Sequence, residues 1–117
     1  MTENFTDGML LRIFIGETDL LDGVPLFDKV LELVSKTGLM GATVLRGIES
    51  VGQKRETHTA KILRLSENLP VVVEVIDEPS KIENLIKAID EIFEKAGCGG
   101  LVTTEKVAMK RYKDTSG

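Results

Sequence analysis

Side chains able to do chemistry are few in this chain, and they gather in two places. Residues 46–65, RGIESVGQKRETHTAKILRL, carry the lone histidine, His58, beside Thr59, with Ser66 just beyond and five cations, Arg46, Lys54, Arg55, Lys61 and Arg64. Residues 97–100, GCGG, carry the lone cysteine, Cys98. His58 as a base with Ser66 or Thr59 as nucleophile would make a hydrolase. No neighbouring motif orients them, however, and a catalytic base must be held in place to act. A lone histidine in a polar stretch is more often solvated or structural. Cys98 follows a helix-ending pattern, where the macrodipole raises a thiol pKa, so its expected role is packing. A zinc site or an iron–sulfur cluster needs several converging ligands, and one His with one Cys falls short within a single chain. No phosphate-cradling G-x-x-x-x-G-K-[ST] run is present. The five cations could hold a phosphate or an acidic partner surface, or they could be solvated surface charges that contribute little.

Bulk properties narrow the classes. A length of 117 residues predicts one domain, 1–117, with a core over 9–112 and a flexible loop at about 49–60. A chain of this size buries roughly two-thirds of its unfolded surface, so it needs no covalent staples. Single-cysteine usage excludes an internal disulfide framework and suits a reducing, cytoplasmic compartment. The start, MTENFTDG, lacks the layout of a secretory signal, and no apolar run approaches the ~20 residues of a membrane helix. The net charge of −4 repels a phosphate backbone, so no nucleic-acid partner is expected.

The elements that must position these residues follow from periodicity. MLLRIFIG (9–16) alternates Met9, Leu11, Ile13 and Ile15 with Leu10, Arg12 and Phe14, which predicts a strand. GETDLLDG reads as a turn or loop. Pro25 opens a helix with Leu26, Val30, Leu33, Val34 and Thr37 on one stripe, and Gly38 lies just past its end. ATVLRGI (42–48) and PVVVEVID (70–77) are the second and third strands. Pro79 opens a second helix with Ile82, Leu85, Ile86, Ile89 and Ile92 on one stripe, closed by Gly97. GLVTTEKVAMKRY (100–112) is the last strand, and residues 1–7 and 113–117 are expected to fray. AKILRL (60–65) is apolar enough for an extra strand or short helix.

Each half thus runs strand, proline-initiated helix, glycine stop, strand. The expected fold is α+β, a ferredoxin-like βαββαβ with antiparallel sheet order 4-1-3-2 and two helices on one face. The odd-numbered faces of the first and third strands should meet the helices. The opposite face carries Leu10, Phe14, Val72 and Ile76, too apolar for water, with Arg12 and Glu74 placed to pair across neighbouring strands. Such a face predicts a subunit interface, hence a homo-oligomer.

Topology alone does not name a function. Base-stacking RNA readers of this fold need aromatics on the central strands; Phe14 is one candidate, VVVEVID has none, and the chain has one Tyr and no Trp. The segments LRIFIGETD, GATVLRGI, HTAKILRLSENLPVVVEVID and GGLVTTEKVAMKRY together resemble the PII-like signalling proteins catalogued as a family of unknown function, over roughly residues 9–112. The layout is also similar to that of the nitrogen-regulatory PII proteins. IESVGQKRE stands near the place of their V-x-G-F-G-x-Q-K-G, and Leu69-Pro70-Val71-Val72 near their L-P-K-V.

The resemblance implies a trimer with the open sheet faces turned inward, and a non-enzymatic regulator. It implies adenine nucleotides bound in clefts between subunits, and a long loop after the second strand that reaches a partner protein, a membrane transporter among the possibilities. Carried over by residue, the loop base supplies Gly47, Gly52, Gln53 and Lys54, the short loop before the last strand supplies Gly97, Gly99 and Gly100, and Arg111 takes the basic position near that strand's end. His58, Lys61 and Arg64 join the candidate ligand-binding set from the basic region. Glycines let backbone N–H groups approach phosphate, and Arg or Lys adds charge-assisted bonds. Two departures stand out. Leu101 follows Gly100 where PII proteins carry a lysine, and GQKRETHT has no counterpart of the tyrosine modified in some PII loops. No resident cofactor or metal is implied. An alternative is a trimer that binds a metal or small molecule without nucleotide, like the copper-tolerance relatives of the fold. An enzyme is the third reading.

Overall fold

A computed structural model describes residues 4–48 and 69–114. The chain runs β1 (Thr6–Gly16), β2 (Leu20–Leu21), β3 (Val24–Pro25), α1 (Leu26–Lys36), β4 (Ala42–Arg46), β5 (Pro70–Asp77), α2 (Pro79–Ala96) and β6 (Leu101–Met109). The long strands form one antiparallel sheet in the order β4-β5-β1-β6, the expected βαββαβ order read from the other edge. Between β1 and α1 the expected turn contains a two-stranded ribbon, β2 with β3, pairing Leu20 with Pro25 and Leu21 with Val24. Two-residue strands are too short to leave a periodic signal.

Both helices lie on one face because both are amphipathic there. Leu26, Val30 and Val34 of α1, with Ile82, Leu85 and Ile89 of α2, are buried against Leu11, Ile13 and Ile15 of β1 and Val71, Val73 and Val75 of β5. Burying each such side chain stabilises the fold by about 1.5–3 kcal/mol. Pro25 directly precedes α1, and Pro79 takes the first turn of α2, where its missing N–H is not needed. Gly97 closes α2 at φ 68°, and its N–H donates to the Phe93 carbonyl at 2.9 Å. A left-handed residue at this position favours glycine.

Ends differ from expectation where pairing extends or stops the strands. β1 begins at Thr6, earlier than the alternation starts, because Thr6, Asp7 and Gly8 pair with Met109, Ala108 and Val107. β4 stops at Arg46 and β6 at Met109. The buried carboxylate of Asp77 ties the approach to β4 onto the end of β5. Its oxygens accept from the Met40 N–H at 2.8 Å and from the Glu78 N–H at 2.7 Å.

Candidate functional site

The antiparallel register gathers one set of candidate residues at one end of the sheet. Gly16 at the end of β1, Arg46 at the end of β4, Pro70 at the start of β5 and Leu101 at the start of β6 lie together there. Gly47 donates its N–H to the Pro70 carbonyl at 2.8 Å, and Glu17 donates to the Leu69 carbonyl at 2.7 Å. A Cβ on Gly47 would come within 2.6 Å of the Pro70 ring, so the close approach itself demands glycine. Gly100 is equally confined. A Cβ there would meet Phe93 Cε1 at 2.5 Å and the Phe14 carbonyl oxygen at 3.1 Å. Gly47, Gly97 and Gly100 therefore each have a structural reason to be glycine. Gly97 and Gly100 lie exposed at the same end as Gly99, whereas Gly47 is half-buried, and the N–H groups of Gly47 and Gly97 are held by the Pro70 and Phe93 carbonyls.

Arg46, counted in the basic cluster, is not a free cation. Its guanidinium is paired with Glu17. Cys98 is half-buried beside this end, and its thiol pKa is raised, first by burial and then by the negative charge of Asp19. The direction agrees with the sequence reading, but desolvation is the leading cause. Gly52, Gln53, Lys54, Arg55, His58, Lys61, Arg64 and the AKILRL segment lie outside the described residues. Among the described residues, no group of three His, Cys, Asp or Glu side chains could hold a metal ion. No described helix is long and apolar enough to cross a membrane.

Arg111 lies at the opposite end. It follows Met109, which pairs with Thr6, whereas Leu101 at the other end of β6 pairs with Phe14. Nine residues of β6 separate the two ends, roughly 30 Å of extended chain. Arg111 lines an open cavity of about 180 Å³ with Lys81, Glu78, Asp77, Thr6, Met40 and Met109. Lys81 comes from the first turn of α2, the positive end of that helix's dipole. Sequence reasoning missed Lys81 and Met40, since nothing in the chain's pattern tells which loop faces the end of the last strand. Within one chain, then, the glycine set and Arg111 do not meet.

The helix-free face connects the two ends. Its cross-strand register forms rows. Leu101, Phe14, Val72 and Leu45 make an apolar row across all four strands; Thr103, Arg12, Glu74 and Thr43 make a polar row; Glu105, Leu10 and Ile76 make a third. Leu101 is 59% exposed, Leu45 48%, Ile76 42% and Phe14 36%, while neighbours already bury Leu10. As expected, Arg12 pairs with Glu74, its Nε donating at 2.9 Å. A second carboxylate, Glu105, accepts from Arg12 Nη1 at 2.7 Å. The bonds to Glu74 and then Glu105 raise the Arg12 pKa further.

This geometry matches known proteins. The DUF190 family, described as "Uncharacterized ACR", matches residues 8–109. A UPF0166 protein of Aquifex aeolicus is 41% identical over 98 residues, covering 84% of this chain and 89% of that protein. A UPF0166 protein of Methanocaldococcus jannaschii is 31% identical over 88 residues, covering 75% and 81%. Among solved structures, CPII from Thiomonas intermedia K12, a nitrogen regulatory PII-like protein bound to ADP, AMP and bicarbonate, superposes with a TM-score of 0.67 at 12% identity, covering 92% of each chain. The fold is PII-like, and the chain belongs to the DUF190 family.

Proposed function

We propose that this protein is a non-enzymatic, PII-like regulator that assembles as a homotrimer through its helix-free face and senses an adenine nucleotide at the seams between copies. The observation that carries the reading is the separation of the candidate ligand groups. Gly47 and Gly97–Gly100 sit at one end of the sheet and Arg111 at the other, so a phosphate could meet both sets only where two copies adjoin. The row Leu101–Phe14–Val72–Leu45, exposed except at the half-buried Val72, supplies an apolar surface to bring copies together. The Arg12–Glu74–Glu105 network keeps its charges paired as water is excluded. CPII, with the same fold, has been solved with ADP and AMP. The segment following β4 is assigned the contact with a partner protein, a membrane transporter being one class.

The test uses light scattering and calorimetry on the full chain. Wild type should scatter at about 38 kDa, three chains of 12.8 kDa, and should release heat with ADP, AMP or ATP. Phe14→Glu places a charge in the centre of the apolar row. That variant should keep its circular dichroism, scatter as a single chain and lose nucleotide binding. A wild-type particle of one chain, or a monomeric variant that binds nucleotide as tightly as wild type, would refute the reading.

A further inference from the structure

We infer that Tyr112 is a base-stacking residue, and that the run Lys110–Arg111–Tyr112–Lys113 recognises a planar aromatic anion of the purine-nucleotide class; this rests on the nucleotide reading above and goes beyond it in naming what holds the base. The chain has one tyrosine and no tryptophan. A tyrosine ring typically buries a large apolar area when it serves a fold. Tyr112 is 80% exposed and contributes nothing to the core. Its described ring contact is with the Lys110 ammonium, 5.2 Å from the ring centroid. That cation covers one face of the ring, and the exposure leaves the other face open.

The surroundings fit one ligand chemistry. Three cations, Lys110, Arg111 and Lys113, flank the ring in sequence; the cavity beside them combines Arg111 and Lys81 with the carboxylates of Glu78 and Asp77, the latter already accepting from the Met40 and Glu78 N–H groups. Arg111, adjacent in sequence, lines the 180 Å³ cavity with Lys81, Met40 and Met109. Thioethers and an aromatic face favour a flat π-system. Guanidinium and ammonium groups favour phosphate. A purine nucleotide combines the two; inorganic phosphate or pyrophosphate satisfies only the cations.

The chain reports on its own ligand, because with no tryptophan its ultraviolet fluorescence comes from Tyr112. ADP and AMP should quench that emission saturably, along the same curve as the calorimetric heat, and pyrophosphate should leave it unchanged. Tyr112→Ala should weaken ADP binding roughly tenfold to a hundredfold, the range for losing one base–aromatic stack, while pyrophosphate binding stays as in wild type. Tyr112→Phe keeps the ring and should bind ADP within about twofold of wild type. Heat with ADP but no quenching, together with an unaffected Tyr112→Ala variant, overturns this assignment and leaves the nucleotide reading standing. No heat with any nucleotide overturns both.

Discussion

Gly100 separates two explanations of a glycine-rich loop: a backbone cradle for a ligand, or a spot where packing leaves no room. An alanine Cβ at this position would lie 2.5 Å and 2.8 Å from Phe93 Cε1 and Cζ, and 3.1 Å from the Phe14 carbonyl oxygen. The ring must shift, and Phe93 is packed against the core cluster at the end of α2. Overpacking of this kind costs about 1–3 kcal/mol. Gly100 is not at positive φ, so alanine also recovers about 0.4–1 kcal/mol from a less floppy unfolded chain. The net for Gly100→Ala is a loss of roughly 1–2 kcal/mol, or a midpoint about 4–8 °C lower for a domain of this size. In a Phe93→Leu background the two clashing ring carbons are gone, and the same substitution should be close to neutral. Urea and thermal unfolding of the four proteins, without ligand, measures the coupling. Equal losses in both backgrounds, or no loss in either, would refute the steric account and leave the loop's glycine to its ligand.

Asp77→Ala should destabilise by about 1–3 kcal/mol in urea unfolding, because it strips the Met40 and Glu78 N–H groups of their acceptor; Asp77→Asn, which keeps a carbonyl oxygen, should lose less. The raised pKa of Cys98 makes its contribution to stability full below the ordinary thiol range and lost as pH rises through the folded value, since the unfolded chain sheds that proton first. Removing the Asp19 charge with Asp19→Asn should therefore speed alkylation of Cys98 in mildly alkaline buffer, and an unchanged rate would remove Asp19 as a cause.

The strand–helix order and the core were readable because they depend on local periodicity. Leu11, Ile13, Ile15 and the valines of β5 alternate cleanly, and Pro79 and Gly97 punctuate α2 with their own backbone constraints. The Arg12–Glu74 pair was readable for the same reason, as both sit on the even face of strands that the topology makes neighbours. Glu105 was not. Its approach to Arg12 depends on how β6 slides along β1, and a register is set by long-range packing rather than by any local signal. Leu45 and Leu101 were missed as members of the apolar row on identical grounds. Arg46 was misjudged because its partner, Glu17, is 29 residues away in the chain and adjacent only at the end of the folded sheet.

The bonds from Gly47 to Pro70 and from Glu17 to Leu69 mean that the polypeptide leaves and re-enters the sheet through a single doorway. A chain segment of any length could be closed across such a doorway. The entropy of closing it rises only with the logarithm of its length, about 0.6 kcal/mol for each doubling. The scaffold can therefore host excursions of other lengths and compositions with little change in its own stability, and a new specificity can be grafted there without redesigning anything beneath it.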